Sequence, residues 1–215
     1  MPIHLRRKRP YRLVLAPILL AVIAAAVYVC FPALRLTLHS RQIEAIPQAQ
    51  WVDAHRYDEA WFDAARVGRV DILRALRDAH YPIDAQTSSG YTAVILAAYD
   101  DQLEALNYLL SANADACRGD RNGNTALMGA LYKGYSDVAQ RLLDTACPVD
   151  QTNNAGETAL SFAAMFGRRD LMRALVRRGA NPNHVDAHGD TPLAVVLKQG
   201  NDDSAALLRE LGAIR

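Results

Sequence analysis

Cysteine is scarce in this sequence. The 215 residues include three cysteines, Cys30, Cys117 and Cys147, and no Cys-x-x-Cys pair of the kind found in zinc and redox sites. Three cysteines are too few for a disulfide-dependent fold, which excludes that class of small secreted protein. We interpret Cys117 and Cys147 as two small buried thiols. A disulfide between them is the alternative in an oxidising compartment, provided that their Cα atoms lie within about 7 Å.

Catalytic and cofactor motifs are absent as well: there is no Gly-x-Ser-x-Gly, His-Glu-x-x-His, P-loop or Gly-x-Gly-x-x-Gly. The nearest approach to a metal site is His184 and His188, with Asp186 between them, because histidines four residues apart on a helix can bind zinc. This stretch falls in a predicted hairpin rather than a helix. We therefore expect no enzyme activity and no cofactor, with a metal-binding or enzymatic role for His184 and His188 as the less favoured alternative.

The net positive charge of the chain comes from its first twelve residues. The whole chain carries a formal net charge of +1, yet residues 1–12 contain five basic residues and no acidic one, which leaves −4 on the remainder. Nucleic-acid binding needs clustered basic residues on the folded domain. The mildly acidic remainder therefore predicts that nucleic acid is not a partner.

A short phrase returns at a fixed interval. A glycine stands two residues before each of four threonines that are spaced 33 residues apart: Thr92, Thr125, Thr158 and Thr191. A pair of small or apolar residues and a turn glycine follow in phase, with Asp101 in place of the glycine in one copy. A fixed period of this length is typical of a stacked repeat array.

These phrases resemble the ankyrin repeat, in which each unit has two antiparallel helices and a projecting hairpin. Glycine tolerates the positive φ of a tight turn, and a threonine hydroxyl can cap the helix that follows. A step back of 33 residues places Glu59 at the threonine position and Gly68 at the turn. The resemblance thus implies an all-α repeat solenoid of about five units over residues 51–215, near 53–85, 86–118, 119–151, 152–184 and 185–215.

A long apolar segment precedes the repeats. Residues 13–34 contain no charged residue in 22 positions, and a helix of that length spans about 33 Å, enough to cross a bilayer core. We predict a basic leader over residues 1–12, a transmembrane helix over residues 13–34 and a connector over residues 35–50. A cleaved signal peptide is the alternative, but the apolar sequence continues beyond the small residues at 24–26, which favours an uncleaved anchor.

The flanking charges predict how this segment is oriented. Five basic residues precede it, whereas Arg35 and Arg41 follow it, and the more basic flank usually stays in the cytoplasm. Arginine supplies all but three of the positive charges, a bias associated with GC-rich bacterial genomes. We therefore expect a single-pass inner-membrane protein whose repeats face the periplasm. Repeats that face the cytoplasm are the alternative.

The resemblance also implies where a partner protein binds, since ankyrin arrays usually use their hairpin tips and the concave face of their first helices. The hairpin positions are Tyr91, Arg121, Asn122, Asn124 and Glu157, and the helix positions are Tyr99, Asp100, Tyr132, Lys133, Met165, Phe166 and Lys198. Aromatic residues and methionine on three successive units predict an exposed stripe, because such residues are enriched at interfaces. Alternatively, Met165 and Phe166 only fill space between helices. We expect Lys133 and Lys198 to pair with acidic groups of the partner.

These features predict a membrane-tethered adaptor that binds one partner protein and no small-molecule substrate. Small bacterial ankyrin proteins of similar layout suggest two roles: protection of a periplasmic enzyme, or neutralisation of a secreted toxin as an immunity protein. Nothing in the sequence selects between these roles.

Overall fold

The computed structural model describes residues 54–214, which belong to one compact unit, Asp53–Arg215. The predicted leader, transmembrane segment and connector lie outside the described residues. Within residues 54–214, none of the helices has both the length and the apolar character needed to cross a bilayer. The β-structure in this range amounts to one isolated bridge, between Thr152 and Thr158.

The described residues form ten α-helices in five consecutive pairs, after a short 3-10 helix at Ala54–Tyr57. The first helices of the pairs are α1 Asp58–Arg66, α3 Ala93–Tyr99, α5 Ala126–Lys133, α7 Ala159–Met165 and α9 Pro192–Lys198. The second helices are α2 Val70–Asp78, α4 Leu103–Ser111, α6 Ser136–Leu143, α8 Arg169–Arg177 and α10 Asp202–Glu210. The five pairs confirm the predicted all-α repeat fold.

Threonine caps four of the five first helices, as predicted. The hydroxyls of Thr92, Thr125, Thr158 and Thr191 accept hydrogen bonds from amides three residues on, at 3.2, 3.4, 3.3 and 3.2 Å. Each such cap stabilises the fold by about 1 kcal/mol. The first unit departs from the pattern, because α1 begins at Asp58 without a side-chain cap and Glu59 lies inside the helix.

The first helices pack against one another more extensively than the second helices do. Small side chains allow this close approach, since fully buried alanines recur there: Ala97, Ala98, Ala130, Ala163 and Ala164. Between the two rows of helices runs a column of buried leucines, again spaced by 33: Leu109, Leu142, Leu175 and Leu208. We call the solvent-facing side of the first helices, together with the hairpins, the inner face.

A backbone ladder ties the hairpin tips together. The amides of Arg121, Asn154 and Ala187 donate to the carbonyls of Ser89, Asn122 and Ala155, at 3.1, 2.8 and 2.9 Å. Glycine is required where one tip rests on the next: Gly90 has a φ of +84°, and a Cβ there would lie 2.6 Å from the nitrogen of Arg121. The repeated glycine therefore provides both the turn and the room for the neighbouring hairpin.

The loops that follow the second helices are joined to one another at four junctions. Three junctions use a side chain that accepts a backbone amide, in the pairs Asp84–Asp115, Asp150–Asn181 and Asn183–Ile214, at 2.9, 3.0 and 2.9 Å. The fourth, between units two and three, is a disulfide between Cys117 and Cys147. The interpretation of these cysteines as buried thiols is therefore wrong. Both are only half-buried, and their Cα atoms are 5.3 Å apart, within the reach of a bridge.

An aromatic pair closes the core of the first unit. The ring of Trp61, fully buried, lies 5.0 Å from that of Tyr81, whose hydroxyl donates to the carboxylate of Asp58 at 2.5 Å. Burial, followed by the hydrogen bond to Asp58, raises the pKa of Tyr81 well above its usual value. This phenol therefore stays a neutral donor that holds α1 against the loop after α2.

Candidate functional site

Three aromatic side chains, Tyr99, Tyr132 and Phe166, form a continuous row on the inner face, which we call the aromatic stripe. The rings of Tyr99 and Tyr132 stack nearly parallel, with centroids 6.2 Å apart and planes at 9°. Phe166 meets Tyr132 edge-on at 5.0 Å. Such ring pairs contribute about 0.5–1.5 kcal/mol beyond their burial. The stripe is thus held in place by its own contacts although Tyr99 and Tyr132 are 40% and 47% exposed.

Helix ends position these rings. Tyr99 is the last residue of α3, Tyr132 lies one 33-residue step further on near the end of α5, and Phe166 directly follows α7. Because each unit repeats the same capped helix, Tyr99 and Tyr132 leave the array at corresponding places. Met165 holds the equivalent position in the next unit, and Phe166 lies one residue further on. The alternative that Phe166 only fills space is partly supported, since its ring is half-buried against Phe162.

A cation of the chain itself lies against the stripe. The ammonium nitrogen of Lys133 is 4.8 Å from the centre of the Tyr99 ring and 5.9 Å from that of Tyr135. An exposed contact of this kind stabilises by about 0.5–1 kcal/mol. Lys133 therefore has an intramolecular role that the sequence did not predict.

A groove of about 570 Å³ opens beside the stripe, between the hairpins and first helices of units two and three. Six of the residues predicted for partner binding line it: Tyr91, Tyr99, Asp100, Asn122, Asn124 and Tyr132. Aromatic walls with a few polar groups are typical of sites that bind another molecule. The structure thus brings half of the predicted set together in one place.

Several groove residues were missed from the sequence, namely Arg66, Ile95, Leu96, Asp120, Thr125, Met128, Gly129 and Phe162. The repeat pattern predicts some of these residues, because Leu96, Gly129 and Phe162 occupy the same position in successive first helices. Aligning the units position by position would have identified this second row of inner-face residues beneath the stripe.

Gly129 forms a notch in the floor of the groove. It lies inside α5, where glycine costs about 1 kcal/mol relative to alanine, and the equivalent residues of the neighbouring units are Leu96 and Phe162. A Cβ at Gly129 would lie 3.5 Å from the Tyr99 ring, an ordinary contact distance. The fold therefore does not require glycine here, whereas the depth of the groove does.

The other predicted positions do not line the groove. Lys198 pairs with Asp190 of its own unit at 2.6 Å, and Glu157 accepts a hydrogen bond from Asn153 at 2.8 Å. Arg121 takes part in the hairpin ladder through its backbone, and Met165 is half-buried at the end of α7. Their part in partner binding stays a prediction.

The two histidines of the last hairpin take separate contacts in this structure, and the turn between them is held by Asp186. A ring nitrogen of His184 lies 3.0 Å from the carbonyl oxygen of Gly156, and the carboxylate of Asp186 accepts the amides of His188 and Asp190 at 2.8 and 2.9 Å. Across residues 54–214, no three histidine, cysteine, aspartate or glutamate side chains are grouped so that they could hold a metal ion. The geometry therefore gives the metal-binding alternative no support.

A family model described as ankyrin repeats (3 copies) matches residues 61–153 and 142–214, well over half of the chain. A search of curated proteins found no significant match. The spacing, the helix pairs, the threonine caps and this match agree, and the chain belongs to the ankyrin repeat family.

Proposed function

We propose that this chain is a membrane-tethered adaptor whose ankyrin array binds a partner protein through the groove and aromatic stripe of the inner face. Ankyrin repeats are typically protein-interaction modules without catalytic activity. The observation that carries the proposal is the ordered, solvent-facing row of rings. Tyr99 and Tyr132 keep a large exposed fraction of their surface, although every other residue of α3, the helix that ends at Tyr99, is buried.

The energetics of binding favour this surface over the rest of the inner face. Tyrosine and phenylalanine supply a large contact area and lose little conformational freedom on binding, and here their mutual contacts already fix them. The notch at Gly129 adds a concave feature into which a partner side chain can insert, and such central pockets are where interface hot spots cluster.

The proposed tether is the apolar segment at residues 13–34, and the proposed location of the array is the periplasm. Two observations support this arrangement. Five basic residues precede the segment, in agreement with a cytoplasmic N-terminus. The disulfide between Cys117 and Cys147 suits an oxidising compartment, because cytosolic thiols are normally kept reduced.

The biological role of such an adaptor is either protection of a periplasmic enzyme or neutralisation of a toxin. The two roles differ in what they demand of affinity. An immunity protein must hold one toxin tightly, whereas a scaffold functions with weaker, exchangeable binding. A single tightly held partner encoded by a neighbouring gene would therefore favour the immunity role.

Crosslinking in intact membranes tests the binding surface. Wild-type protein is compared with a Tyr99→Ala/Tyr132→Ala variant and with a control, Tyr57→Ala/Leu197→Ala, which removes apolar side chains of similar exposure outside the stripe. We expect the same crosslinked partner with the wild type and the control, and its loss with the stripe variant. Equal recovery with the stripe variant, confirmed as folded by circular dichroism, would overturn the proposed surface.

Topology is tested separately. Alkaline phosphatase fused after Arg215 is active only outside the cytoplasm, so we expect an active fusion. Alkylating free thiols in living cells gives a second readout, because Cys117 and Cys147 should resist the reagent until a reductant is added. An inactive but well-expressed fusion together with freely alkylated cysteines would establish the cytoplasm-facing alternative.

A further inference from the structure

Two carboxylates line the groove together with aromatic rings, apolar side chains and amide groups. Asp100 follows α3 directly, and Asp120 lies in the hairpin of unit three. Within residues 54–214, the Asp100 carboxylate has neither a hydrogen-bond donor nor a basic partner. One oxygen of Asp120 accepts the amides of Asn122 and Asn124 at 2.8 and 2.9 Å, and its other oxygen has no donor in the same range.

Neither negative charge is needed for folding. The residues equivalent to Asp100 in the following units are Lys133, Phe166 and Gln199, so the fold sets no requirement at this position. The residue equivalent to Asp120 in unit four is Asn153. Its amide oxygen accepts the amides of Ala155 and Glu157 at 3.0 and 2.9 Å, in the same turn. The hairpin thus needs an acceptor oxygen at position 120 but no charge.

Two cations near the groove are already engaged within the chain. Arg66, which lines it, pairs with Asp63 at 3.2 Å, and Lys133 lies over Tyr99. The groove therefore presents two carboxylates without a basic partner beside parallel tyrosine rings and an apolar floor. This combination complements a side chain that is planar, positively charged and apolar along its stem, which describes arginine.

We infer that the groove between units two and three receives an arginine side chain of the partner protein, whose guanidinium pairs with Asp100 and Asp120 and whose stem packs on Tyr99 and Tyr132. The inference rests on the proposed binding function of the inner face. Arginine fits better than lysine because its flat guanidinium stacks on aromatic rings and binds carboxylates with two nitrogens. The ammonium of Lys133 over Tyr99 demonstrates within this chain that the ring accommodates a cation.

The test uses the full-length chain in detergent and two small probes, N-acetyl-arginine methylamide and its neutral counterpart N-acetyl-citrulline methylamide. The readout is the amide NMR signals of Gly129 and Asn122, which report on the floor and rim of the groove. We expect the arginine probe to shift both signals and to bind at least about tenfold more tightly than citrulline, as a charge-assisted hydrogen bond implies.

Charge-removing variants make the test specific. Asp100→Asn/Asp120→Asn keeps the turn acceptor and should abolish this preference for arginine. The control Asp137→Asn/Asp144→Asn changes the net charge equally at exposed positions around α6 and should retain it. Equal binding of the two probes, shifts confined to other residues, or an unchanged preference in the groove variant would each overturn the inference.

Failure of the arginine pocket is distinguishable from failure of the adaptor proposal. If the probes show no preference while crosslinking still depends on Tyr99 and Tyr132, the inner face binds a partner and the arginine assignment is wrong. If the probes bind as expected while the crosslinked partner survives loss of the stripe, the pocket exists and the proposed partner surface is wrong.

Discussion

The junction between units two and three differs from the other three junctions in the bond that holds it. Elsewhere a side-chain oxygen of one loop accepts an amide of the next loop, from Asp84, Asp150 and Asn183. Cys117 occupies the equivalent acceptor position, and Pro148 the equivalent donor position. Since proline has no amide hydrogen, the ordinary hydrogen bond cannot form there. The disulfide to Cys147, one residue before the proline, takes its place.

The second helix of unit three also ends differently from the second helices of the other units. In the other four units a residue with positive φ ends the helix, at His80, Asn113, Gly179 and Gly212, and the next amide returns to a leucine carbonyl. Ala146 holds this place in unit three and does not have a positive φ. The carbonyl of Leu142 is satisfied instead by the amide and hydroxyl of Thr145, at 3.1 and 2.6 Å.

A guanidinium from the next unit completes this altered helix end. Arg178 donates to the carbonyl of Leu143 and, at 3.1 Å, to that of Thr145. A small cavity of about 20 Å³ lies beneath Cys147, and Thr125 and Met128 line both this cavity and the groove. Unit three, which supplies half of the groove, therefore has a disulfide at its junction with unit two and an arginine at the end of its second helix, where the other units use hydrogen bonds from backbone amides.

Breaking the disulfide should have the largest effect. Cys117→Ser/Cys147→Ser opens a link of sequence separation 30 and should lower the free energy of unfolding by about 3–4 kcal/mol. Urea denaturation followed by circular dichroism measures this change in the free energy of unfolding. A reductant should destabilise the wild type to the same extent and leave the variant unaffected. An identical midpoint for oxidised and reduced wild type would show that the link does not stabilise the array.

Rebuilding the ordinary junction should restore most of this loss without a disulfide. The change Cys117→Asp/Ala146→Gly/Cys147→Ala/Pro148→Asn reproduces the residues found between units three and four: Asp150, Gly179, Ala180 and Asn181. It regains a charge-assisted hydrogen bond and a relaxed turn, together about 2 kcal/mol relative to the double serine variant. Its melting temperature should not respond to reductant. If this variant were no more stable than the double serine variant, the residues of one junction could not be transferred to another.

Removing the arginine cap should have a smaller effect. Arg178→Ala leaves the carbonyls of Leu143 and Thr145 without their donor and should cost about 1–2 kcal/mol in unfolding free energy. The neighbouring Arg177→Ala, at an exposed position, should change stability by less than about 0.5 kcal/mol. Equal losses of stability in the two variants would mean that the total charge matters and not the hydrogen bonds of Arg178.

The smallest effect concerns the turn between the two helices of a unit. Asp101 has a φ of +58° where the other units have glycine, so Asp101→Gly should stabilise the array by about 0.5–1 kcal/mol. Gly167→Asp provides the reciprocal change at a position where a Cβ meets nothing within 4 Å. It should therefore destabilise by a similar amount in thermal melts. If both variants changed stability in the same direction, the effect could not come from the backbone conformation alone.

Most of the fold could be predicted because the period itself encodes it. Thr92 and its three counterparts placed the starts of four first helices, and the small residues that follow placed the contacts between them. Glu59 shows the limit of this extrapolation. The first helix of unit one begins at Asp58 rather than at the projected place, because this unit lacks the glycine and threonine that define the helix start in the other units.

The disulfide could not be predicted from the period. Residues that are 33 apart occupy the same place in successive units, whereas residues in contact across a junction are offset by 31, as in Asp84–Asp115. Cys117 and Cys147, with a separation of 30, look out of phase although they are in contact. The contact separation is shorter than the repeat period because each loop packs against an earlier part of the loop in the adjacent unit. This offset depends on three-dimensional packing.

The aromatic stripe could be predicted and the depth of the groove could not. Tyr99 and Tyr132 follow from counting positions along the repeat, and Phe166 lies next to Met165, the equivalent residue of unit four. The notch depends on the side chain that Gly129 lacks, and its effect is visible only when the flanking Leu96 and Phe162 are placed around it.

The bond between Cys117 and Cys147 also changes the covalent topology of the chain, because it closes a ring that contains Asn122, Gly129 and Tyr132. A protease that cuts any single peptide bond within this ring leaves the two halves of the array joined. Cleavage outside the ring leaves two fragments without a covalent link between them. The segment that builds one wall of the groove is therefore the part of the array that keeps the chain in one piece after a single cut.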